Sequence, residues 1–331
     1  MLLDHARALK ASLLDKIVSQ ISLPAVVRSL AIRSQSIRSV DQAMRSIALG
    51  ISLWKKQPRI AVRVQRPSLL DHPFVDRIRK LAHGEVDVRY VGRIGKLETS
   101  RTLQNKRRPL VMGCSIGHYE ITAGTLGCFV RSKSDPTPLI LSNNHVLANE
   151  NHATSGDDIL QPGGLDGGAT PDDVVAQLVR FVRLKKSKAN FVDCAIAQPL
   201  ADIRYNEKKL GRFGNLQGLG PVFLDEGTPV RKVGRTTGET TGRVTAFELD
   251  NVVVNYDLGN LRFDNQIEIE GEGTGPFCEG GDSGSLIVNA DNLGVALLFA
   301  GGDTGGTNGL GLTYANPLKT VLDQLKVELV F

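Results

Sequence analysis

Apolar residues recur along the chain with two different periods, one typical of helices and one typical of strands. In residues 2–22 they fall every three or four positions, which predicts an amphipathic helix that Pro24 ends or redirects. The predicted buried positions are Leu2, Ala6, Leu9, Leu13, Ile17 and Ile21, and the predicted solvent face carries Asp4, Arg7, Lys10, Asp15 and Lys16. We expect residues 1–38 to form a helical arm that packs on the chain or on a neighbour.

Residues 39–95 predict a small unit of two strands, a helix and a third strand. The predicted elements are a short capped helix at 39–44, strands at 47–54 and 60–64, a helix that begins at Pro73, and a strand at 86–90. Residues 96–108 are polar and basic, which is typical of a linker. This β-β-α-β module, residues 39–108 with its linker, is too small for an enzyme and contains no candidate catalytic cluster.

From Leu110 onward, short apolar runs are separated by clusters of Gly, Asn or Asp. Many short strands with turn signals indicate a β-barrel or β-sandwich, so the chain is expected to be mainly β. Only the last stretch, 317–330, predicts a helix. Residues 109–331 therefore form the third predicted domain.

The net charge of +5 is divided unevenly. Residues 1–108 contain 22 Lys and Arg against 8 Asp and Glu, a balance of +14, and residues 109–331 contain 18 against 27, a balance of −9. A basic module can serve nucleic acid or an acidic membrane, but no aromatic residues are interleaved with the basic ones, as single-strand nucleic-acid binders require. We favour attraction between the two parts, within one chain or between the subunits of a homo-oligomer.

Location and cofactors follow from what the sequence lacks. No apolar run is as long as a membrane span, and charged residues interrupt the N-terminal apolar stretches, so we expect no signal peptide and a cytoplasmic location. The cysteines lack the Cys-x-x-Cys spacing of zinc sites, so we expect no metal and no cofactor, and reduced, buried thiols. These cysteines are Cys114, Cys128, Cys194 and Cys278.

The stretch 278–288 carries the clearest candidate chemistry. Ser283 stands between two glycines, follows Asp282 and leads into an apolar run, an arrangement that can present a hydroxyl at the end of a tight turn. The same residues are also ordinary turn formers, so the motif alone leaves a surface turn equally open. A serine nucleophile needs a positioned base. Among the histidines, His145 follows a buried strand directly, whereas His118 and His152 have the context of a structural and a loop residue.

The order of the candidate residues excludes two triad types. The α/β-hydrolase order places histidine last, and no histidine follows His152. The subtilisin order needs a parallel α/β sheet, which this glycine-rich region does not suggest. Asp193 lies between apolar residues, where an unpaired carboxylate is costly to bury, so a partner such as an imidazolium is expected. What remains is His, Asp and Ser in that order on an antiparallel β scaffold.

At three motifs the chain resembles the chymotrypsin/trypsin-like serine proteases. The motifs lie at residues 141–145, 192–197 and 280–285, and the intervals between His145, Asp193 and Ser283 are 48 and 90 residues. Residues 230–238 also look like a second-barrel strand and turn of bacterial and plant members. The likeness covers residues 110–331 and is greatest to the plant narrow-leaf type, which has an N-terminal extension.

The resemblance implies a chymotrypsin-like double β-barrel with the site in the cleft between the barrels. Ser283 would be the nucleophile, His145 the general base and then acid, and Asp193 the residue that orients the histidine. The backbone N–H groups of Gly281 and Ser283 would form the oxyanion hole.

The resemblance also places the substrate-binding residues. Phe277 and Cys278 would lie at the base of the primary pocket, where the absence of an acid predicts a small or apolar side chain on the acyl side of the cut. Phe299, Ala300 and Gly301 would form the pocket wall and the edge to which the substrate backbone adds as a strand.

One departure concerns Asp282. In animal trypsin-like enzymes this aspartate pairs with an N-terminus freed by cleavage, yet the basic site at Arg107 and Arg108 is followed by Pro109, a poor context for a cut. Either another cation such as an arginine holds Asp282, or the enzyme is inactive until assembled or processed. We predict a serine endopeptidase whose partners are protein or peptide substrates, with a basic extension for assembly, docking or regulation. The alternative is a catalytically silent, protease-like peptide-binding module.

Overall fold

The structure is a computed structural model that describes residues 1–21, 45–92, 94–95 and 103–331. The predicted short helix at 39–44 and the first part of the predicted linker lie outside the described residues. Within the described ranges, none of the helices is both long enough and apolar enough to cross a membrane.

The N-terminal part contains the predicted β-β-α-β order. Its elements are α1 (Leu3–Ile21), β1 (Ile47–Trp54), β2 (Gln57–Val64), α2 (Pro73–Leu81) and β3 (Val86–Tyr90). Strand β1 pairs antiparallel with β2, and β2 pairs parallel with β3. Helix α2 begins as predicted because Pro73 occupies its first turn and His72 caps it by accepting the Phe74 N–H.

Helix α1 buries most of the predicted face, and the exceptions are Leu2 and Lys10. Ala6, Leu13 and Ile17 are buried as expected, but Leu2 is 70 % exposed and Lys10 only 8 %. The Lys10 ammonium lies 2.9 Å from an Asp250 carboxylate oxygen. Ion pairing of this kind offsets the cost of burying the lysine.

Several ion pairs join the basic N-terminal part to the acidic C-terminal part. Arg7 Nη2 lies 2.7 Å from Glu248 Oε1, and the fully buried Arg63 Nε lies 2.8 Å from Glu268 Oε1. The opposite charge balances of the two parts thus attract each other within one chain.

The regular elements of the rest of the described chain are mostly strands. The first half contains β4 (Ile94–Gly95), β5 (Leu110–Val111), β6 (Ser115–His118), β7 (Gly124–Thr125), β8 (Cys128–Ser132), β9 (Asp135–Ser142), α3 (Asn144–Leu147), β10 (Asp158–Leu160), β11 (Val174–Phe181), β12 (Ala195–Pro199) and β13 (Tyr205–Asn206). The second half contains β14 (Gly218–Leu219), β15 (Pro229–Gly234), β16 (Gly238–Asp250), β17 (Val252–Tyr256), β18 (Gly259–Phe263), β19 (Gln266–Gly271), β20 (Leu286–Asn289), β21 (Leu293–Gly302), β22 (Leu312–Pro317), α4 (Leu318–Leu325) and β23 (Val327–Leu329).

These strands form one closed barrel and one curled half-barrel, which we call the second and the first barrel. In the second, β15, β16, β19, β22, β21 and β20 pair in that order and β20 pairs back with β15, which closes a six-stranded antiparallel ring. In the first, the order β23-β8-β9-β12-β11-β10-β6-β7 forms a curled, open sheet. The fold is therefore mainly β with a chymotrypsin-like double barrel, as the sequence predicts.

Alternating apolar residues fill each barrel. One buried cluster, with Phe129 and Ile140, lies inside the first barrel, and another, with Val244 and Ile287, lies inside the second. A third cluster contains residues of both barrels and of α4, and thereby fixes the cleft between them.

The N-terminal module continues the sheet of the second barrel. Strand β1 pairs antiparallel with β16, so β3, β2 and β1 extend that sheet outward. The division into domains at residues 38 and 108 remains a prediction.

The C-terminal helix is shorter than predicted. Instead of running to residue 330, α4 ends at Leu325, and Lys326 adopts a left-handed conformation with φ 51°. The chain then turns back, and β23 pairs antiparallel with β8. The backbone groups of Val327–Leu329 are therefore satisfied by β8 and not by a further helical turn.

Candidate active site

His145 lies on the short helix α3, directly after strand β9. Its side chain is 8 % exposed, and its Nδ1 lies 2.6 Å from Asp193 Oδ2. The other two histidines of this region have other partners: the buried His118 contacts Asp157 at 3.1 Å, and His152 contacts the Asn149 carbonyl at 2.7 Å. Only His145 of the three therefore faces the predicted aspartate.

Asp193 is fully buried, and four donors reach its carboxylate. Oδ1 accepts the backbone N–H groups of Asn144 at 2.6 Å and His145 at 3.3 Å. Oδ2 contacts the imidazole and also accepts the Tyr256 hydroxyl at 2.6 Å. Backbone and side-chain donors of this kind stabilise a buried carboxylate in its charged form.

Sequence reasoning missed Tyr256 and Asn316, which both hold Asp193. Burial, followed by the negative charge of Asp193, raises the pKa of Tyr256 well above its usual value, so the phenol stays a donor. The Asn316 side chain accepts the Asp193 N–H at 2.8 Å. Neither residue lies in a recognisable motif. A tyrosine that ends an apolar strand is also a common core residue, so the sequence contained no usable signal for either role.

Ser283 lies in a turn that is held from behind by the first barrel. The Thr125 N–H donates to the Ser283 carbonyl at 2.8 Å, and the Thr125 hydroxyl donates to the Gly281 carbonyl at 2.7 Å. Gly284 has φ 94°, and a Cβ there would lie 2.1 Å from Ser142 Oγ. The turn therefore requires glycine at this position for both conformation and space.

Ser283 is 5 % exposed, and its hydroxyl donates to the Phe299 carbonyl at 3.5 Å. Ser283 and His145, which both lie in the described part of the chain, are not joined by a hydrogen bond. Both nevertheless line one cavity of about 200 Å³, together with Gly281. The structure thus brings the three predicted triad residues to one site.

A lysine, not an arginine, holds Asp282. Lys232 Nζ lies 3.0 Å from Asp282 Oδ2, and both side chains are fully buried. The same carboxylate accepts the backbone N–H groups of Thr236 at 2.8 Å and Glu279 at 3.0 Å, and the Thr237 hydroxyl at 2.7 Å. Asp282 is therefore paired with an internal cation, in the place that a freed N-terminus takes in animal trypsin-like enzymes.

A second buried ion pair borders the cavity. Arg235 binds Asp166 through two hydrogen bonds, Nε to Oδ2 and Nη2 to Oδ1, each of 2.6 Å. Gly281 packs against this arginine so closely that a Cβ there would lie 2.1 Å from Arg235 Nη1. The pair fixes the wall beside the predicted oxyanion turn.

The residues predicted for the base of the primary pocket are buried in the second barrel. Phe277 is 2 % exposed and Cys278 is 7 % exposed, and both belong to the barrel's apolar cluster. Neither lines the cavity that contains His145 and Ser283. Burial raises the pKa of the Cys278 thiol to about 12, so this cysteine is an apolar wall and not a nucleophile.

Phe299, Ala300 and Gly301 lie on β21, whose edge is already paired. The antiparallel partners are Gly301 with Gly95 and Gly302 with Ile94, so strand β4 of the same chain lies along the predicted substrate edge. On its other side, β4 pairs in parallel with Asn255. In the sequence, residue 95 is the predicted end of the β-β-α-β unit, just before the predicted linker, and no pattern there indicates this pairing.

No protein-family model and no curated protein sequence matches the chain. Solved structures that resemble it include protease A from Thermobifida fusca (15 % identity, TM-score 0.46, 67 % of this chain and 98 % of that one). They also include a chymotrypsin from Cellulomonas bogoriensis (18 %, TM-score 0.45, 67 % and 98 %) and a Nocardiopsis protease (15 %, TM-score 0.46, 67 % and 99 %). The double-barrel fold of this chain rests on its own strand pairings.

Proposed function

We propose that this protein is a serine endopeptidase that uses His145, Asp193 and Ser283. The observation that carries the proposal is the 2.6 Å contact of His145 Nδ1 with Asp193, beside a cavity that His145 shares with Ser283. In this arrangement, the contact with Asp193 fixes the tautomer whose Nε2 is free to accept a proton.

The reaction would proceed in two halves. Ser283 Oγ attacks the peptide carbonyl carbon while His145 Nε2 takes the hydroxyl proton, and the same nitrogen then protonates the leaving amine as the C–N bond breaks. A water molecule next attacks the ester carbonyl carbon and gives a proton to His145 Nε2. The bond from this carbon to Ser283 Oγ then breaks, and His145 returns the proton to Oγ. Asp193 holds the Nδ1 side of the ring and stabilises the imidazolium that forms in each half.

The backbone N–H groups of Gly281 and Ser283 would stabilise the oxyanion in each half. Thr125 supports this role because it binds the carbonyl groups of the same two residues from behind. The Lys232–Asp282 pair supports it from the other side. With an internal cation at Asp282, the turn would not depend on a newly cut N-terminus.

For the acyl side of the scissile bond, we propose a small or apolar residue. The support is the sequence resemblance, which assigns Phe277 and Cys278, and no acid, to the base of the primary pocket. A library of fluorogenic peptides that varies this position alone tests the proposal. Faster cleavage after Lys or Arg than after Ala, Val or Leu would contradict it.

Labelling with a fluorophosphonate tests the nucleophile. We expect intact-mass measurement to show one adduct on the wild type, located at Ser283 by peptide mapping. Ser283→Ala should show none, and His145→Ala should react at least 100-fold more slowly, because removal of a general base typically costs about 10²–10⁴ in rate. Wild-type protein that stays unlabelled while folded would overturn the proposal.

A peptide-binding module without catalysis is the second candidate. It is favoured by the position of the Ser283 hydroxyl, which donates to the Phe299 carbonyl at 3.5 Å. A wild type that binds extended peptides but neither cleaves a broad peptide library nor reacts with the fluorophosphonate would establish this candidate.

Three further expectations remain proposals: a cytoplasmic location, a homo-oligomer that assembles through the N-terminal part, and a particular likeness to narrow-leaf proteases. The within-chain ion pairs of α1 and β2 account for part of the basic charge. They reduce the charge left for nucleic acid or an acidic membrane, the partners we disfavour.

A further inference from the structure

Strand β4 lies between β17 and β21 and pairs with both. Gly95 is the partner of Gly301 in antiparallel register and of Asn255 in parallel register. An edge strand presents unpaired backbone N–H and C=O groups to which an extended chain can add. Here the edges of β17 and β21 face each other across a gap, which we call the slot, and Ile94–Gly95 of the same chain lies in it.

The segment that leads into β4 is held by tertiary contacts. The Val91 N–H donates to the Val64 carbonyl at 3.0 Å, and Val91 is fully buried. At Gly92, a Cβ would lie 2.1 Å from Thr304 Oγ1, so the backbone passes directly against the loop that follows β21. These contacts fix the direction in which the chain enters the slot.

Ile94 anchors β4 by its side chain. It is 1 % exposed and belongs to one apolar cluster with Phe299, Tyr256 and Phe263. Gly95, by contrast, lies opposite Gly301, so neither side chain separates the two backbones. The slot thus combines an aliphatic subsite with a stretch of bare backbone.

We propose that Ile94–Gly95 is an internal competitor for the β21 edge to which the family resemblance assigns the substrate backbone, and that the ligands it excludes are extended peptides with an aliphatic side chain at the position of Ile94. The proposal deepens the proposed function, since it concerns the same cleft. A peptide would displace β4 and take over its pairing with Gly301 and Asn255, by the strand addition known from other peptide-binding domains.

Tethering makes this competition strong. A segment linked to its site by a short chain acts at an effective concentration of about millimolar or above. If β4 fills the slot in about nine molecules of ten, the apparent affinity for a free peptide falls about tenfold, because only the open fraction binds.

Peptide binding to Ser283→Ala protein tests the proposal without any catalytic step. The probe is a fluorescein-labelled peptide with the sequence of residues 90–97 of this chain, and fluorescence anisotropy gives its dissociation constant. Ile94→Asp, added to Ser283→Ala, places a carboxylate in an apolar cluster and should expel β4. We expect about tenfold tighter binding than by Ser283→Ala alone.

Three controls define the cause. Ile94→Val keeps the aliphatic anchor and should leave the dissociation constant within twofold. Leu81→Asp adds the same charge at a position that is 41 % exposed and should leave the dissociation constant unchanged. A probe peptide with Asp in place of its isoleucine should bind at least tenfold more weakly to the Ile94→Asp protein.

If Ile94→Asp fails to fold, as judged by circular dichroism, Ile94→Ala takes its place and should strengthen binding at least threefold. Unchanged or weaker binding by the folded variant, or equal binding of the two probe peptides, would overturn the inference. Because Ser283 is absent, these outcomes do not depend on its being a nucleophile. Fluorophosphonate labelling of the wild type reports that separately.

Discussion

The Tyr256 hydroxyl donates a hydrogen bond of 2.6 Å to Asp193 Oδ2, the oxygen that also contacts His145 Nδ1 at 2.6 Å. The tyrosine ring also packs edge-on against the histidine, with ring centres 5.8 Å apart. Tyr256 therefore contacts both members of the pair: it hydrogen-bonds Asp193 and packs against His145.

Tyr256→Phe removes the hydrogen bond and keeps the ring. We expect kcat/KM for a peptide substrate to fall about tenfold, since hydrogen bonds to charged groups contribute about 1.5–3 kcal/mol and 1.4 kcal/mol corresponds to a factor of ten. The effect should lie mainly in kcat, because Tyr256 acts on the charge pair that forms in the transition state.

The split between kcat and KM separates this role from simple packing. Loss of the hydrogen bond alone should lower kcat and leave KM within about twofold, because the Tyr256 hydroxyl contacts Asp193 and does not line the cavity. The charged residues around the cavity, Glu120, Glu150, Asp257 and Arg235, are unchanged in the variant. A fall that lies mainly in KM would assign Tyr256 a packing role only.

Lys232→Met should destabilise the protein and abolish its activity together. It leaves the buried Asp282 carboxylate without its cation, and breaking a buried ion pair in this way costs about 3–5 kcal/mol. Urea denaturation measures the stability, and fluorophosphonate labelling measures the competence of the Ser283 turn. The double variant Lys232→Met/Asp282→Asn should recover part of the stability, because no unpaired charge remains. A single variant as stable as the wild type would contradict the proposed role of the lysine.

Gly284→Ala should lower the free energy of unfolding more than the same change at another glycine of similar backbone conformation. Gly284 and Gly273 have φ values of 94° and 90°, but a Cβ at Gly284 would lie 2.1 Å from Ser142 Oγ, whereas nothing lies within 4 Å of one at Gly273. We expect Gly284→Ala to lower the free energy of unfolding by about 1–3 kcal/mol more than Gly273→Ala, the usual cost of overpacking. Equal losses in thermal or urea unfolding would show that only backbone strain matters.

Asp87 should stabilise the fold in a pH-dependent way. Burial disfavours its charged form, but the charges of Arg63, Arg89 and Arg59 outweigh burial and hold the pKa of Asp87 below its usual value. Its contribution is therefore present above the unfolded-state pKa of about 3.9 and is lost as pH falls through the lower folded pKa. Asp87→Asn should lower the free energy of unfolding by about 1.5–3 kcal/mol at pH 7, with a smaller difference below about pH 4. A difference that is independent of pH would argue against the charge as its cause.

The order of elements and the location of the candidate triad could be read from the sequence because both depend on local pattern. Alternating apolar runs, glycine turns and the capping proline at Pro73 act over a few residues. The same holds for the contexts of His145, Asp193 and Ser283, each of which follows or borders a strand. The exposure of Lys10 and the end of α4 were predicted wrongly, since Asp250 and strand β8 decide them from distant parts of the chain.

Tertiary structure alone decided what surrounds the triad. Tyr256 is 63 residues from Asp193, Asn316 is 123 residues from it, and Lys232 is 50 residues from Asp282. No local period relates such positions: packing of the two barrels against each other brings Tyr256 and Asn316 to Asp193, and closure of the second barrel brings Lys232 to Asp282. The occupation of the β21 edge by Ile94–Gly95 has the same origin. A two-residue strand has no sequence pattern of its own, and it forms only where two prepared edges lie on either side of it.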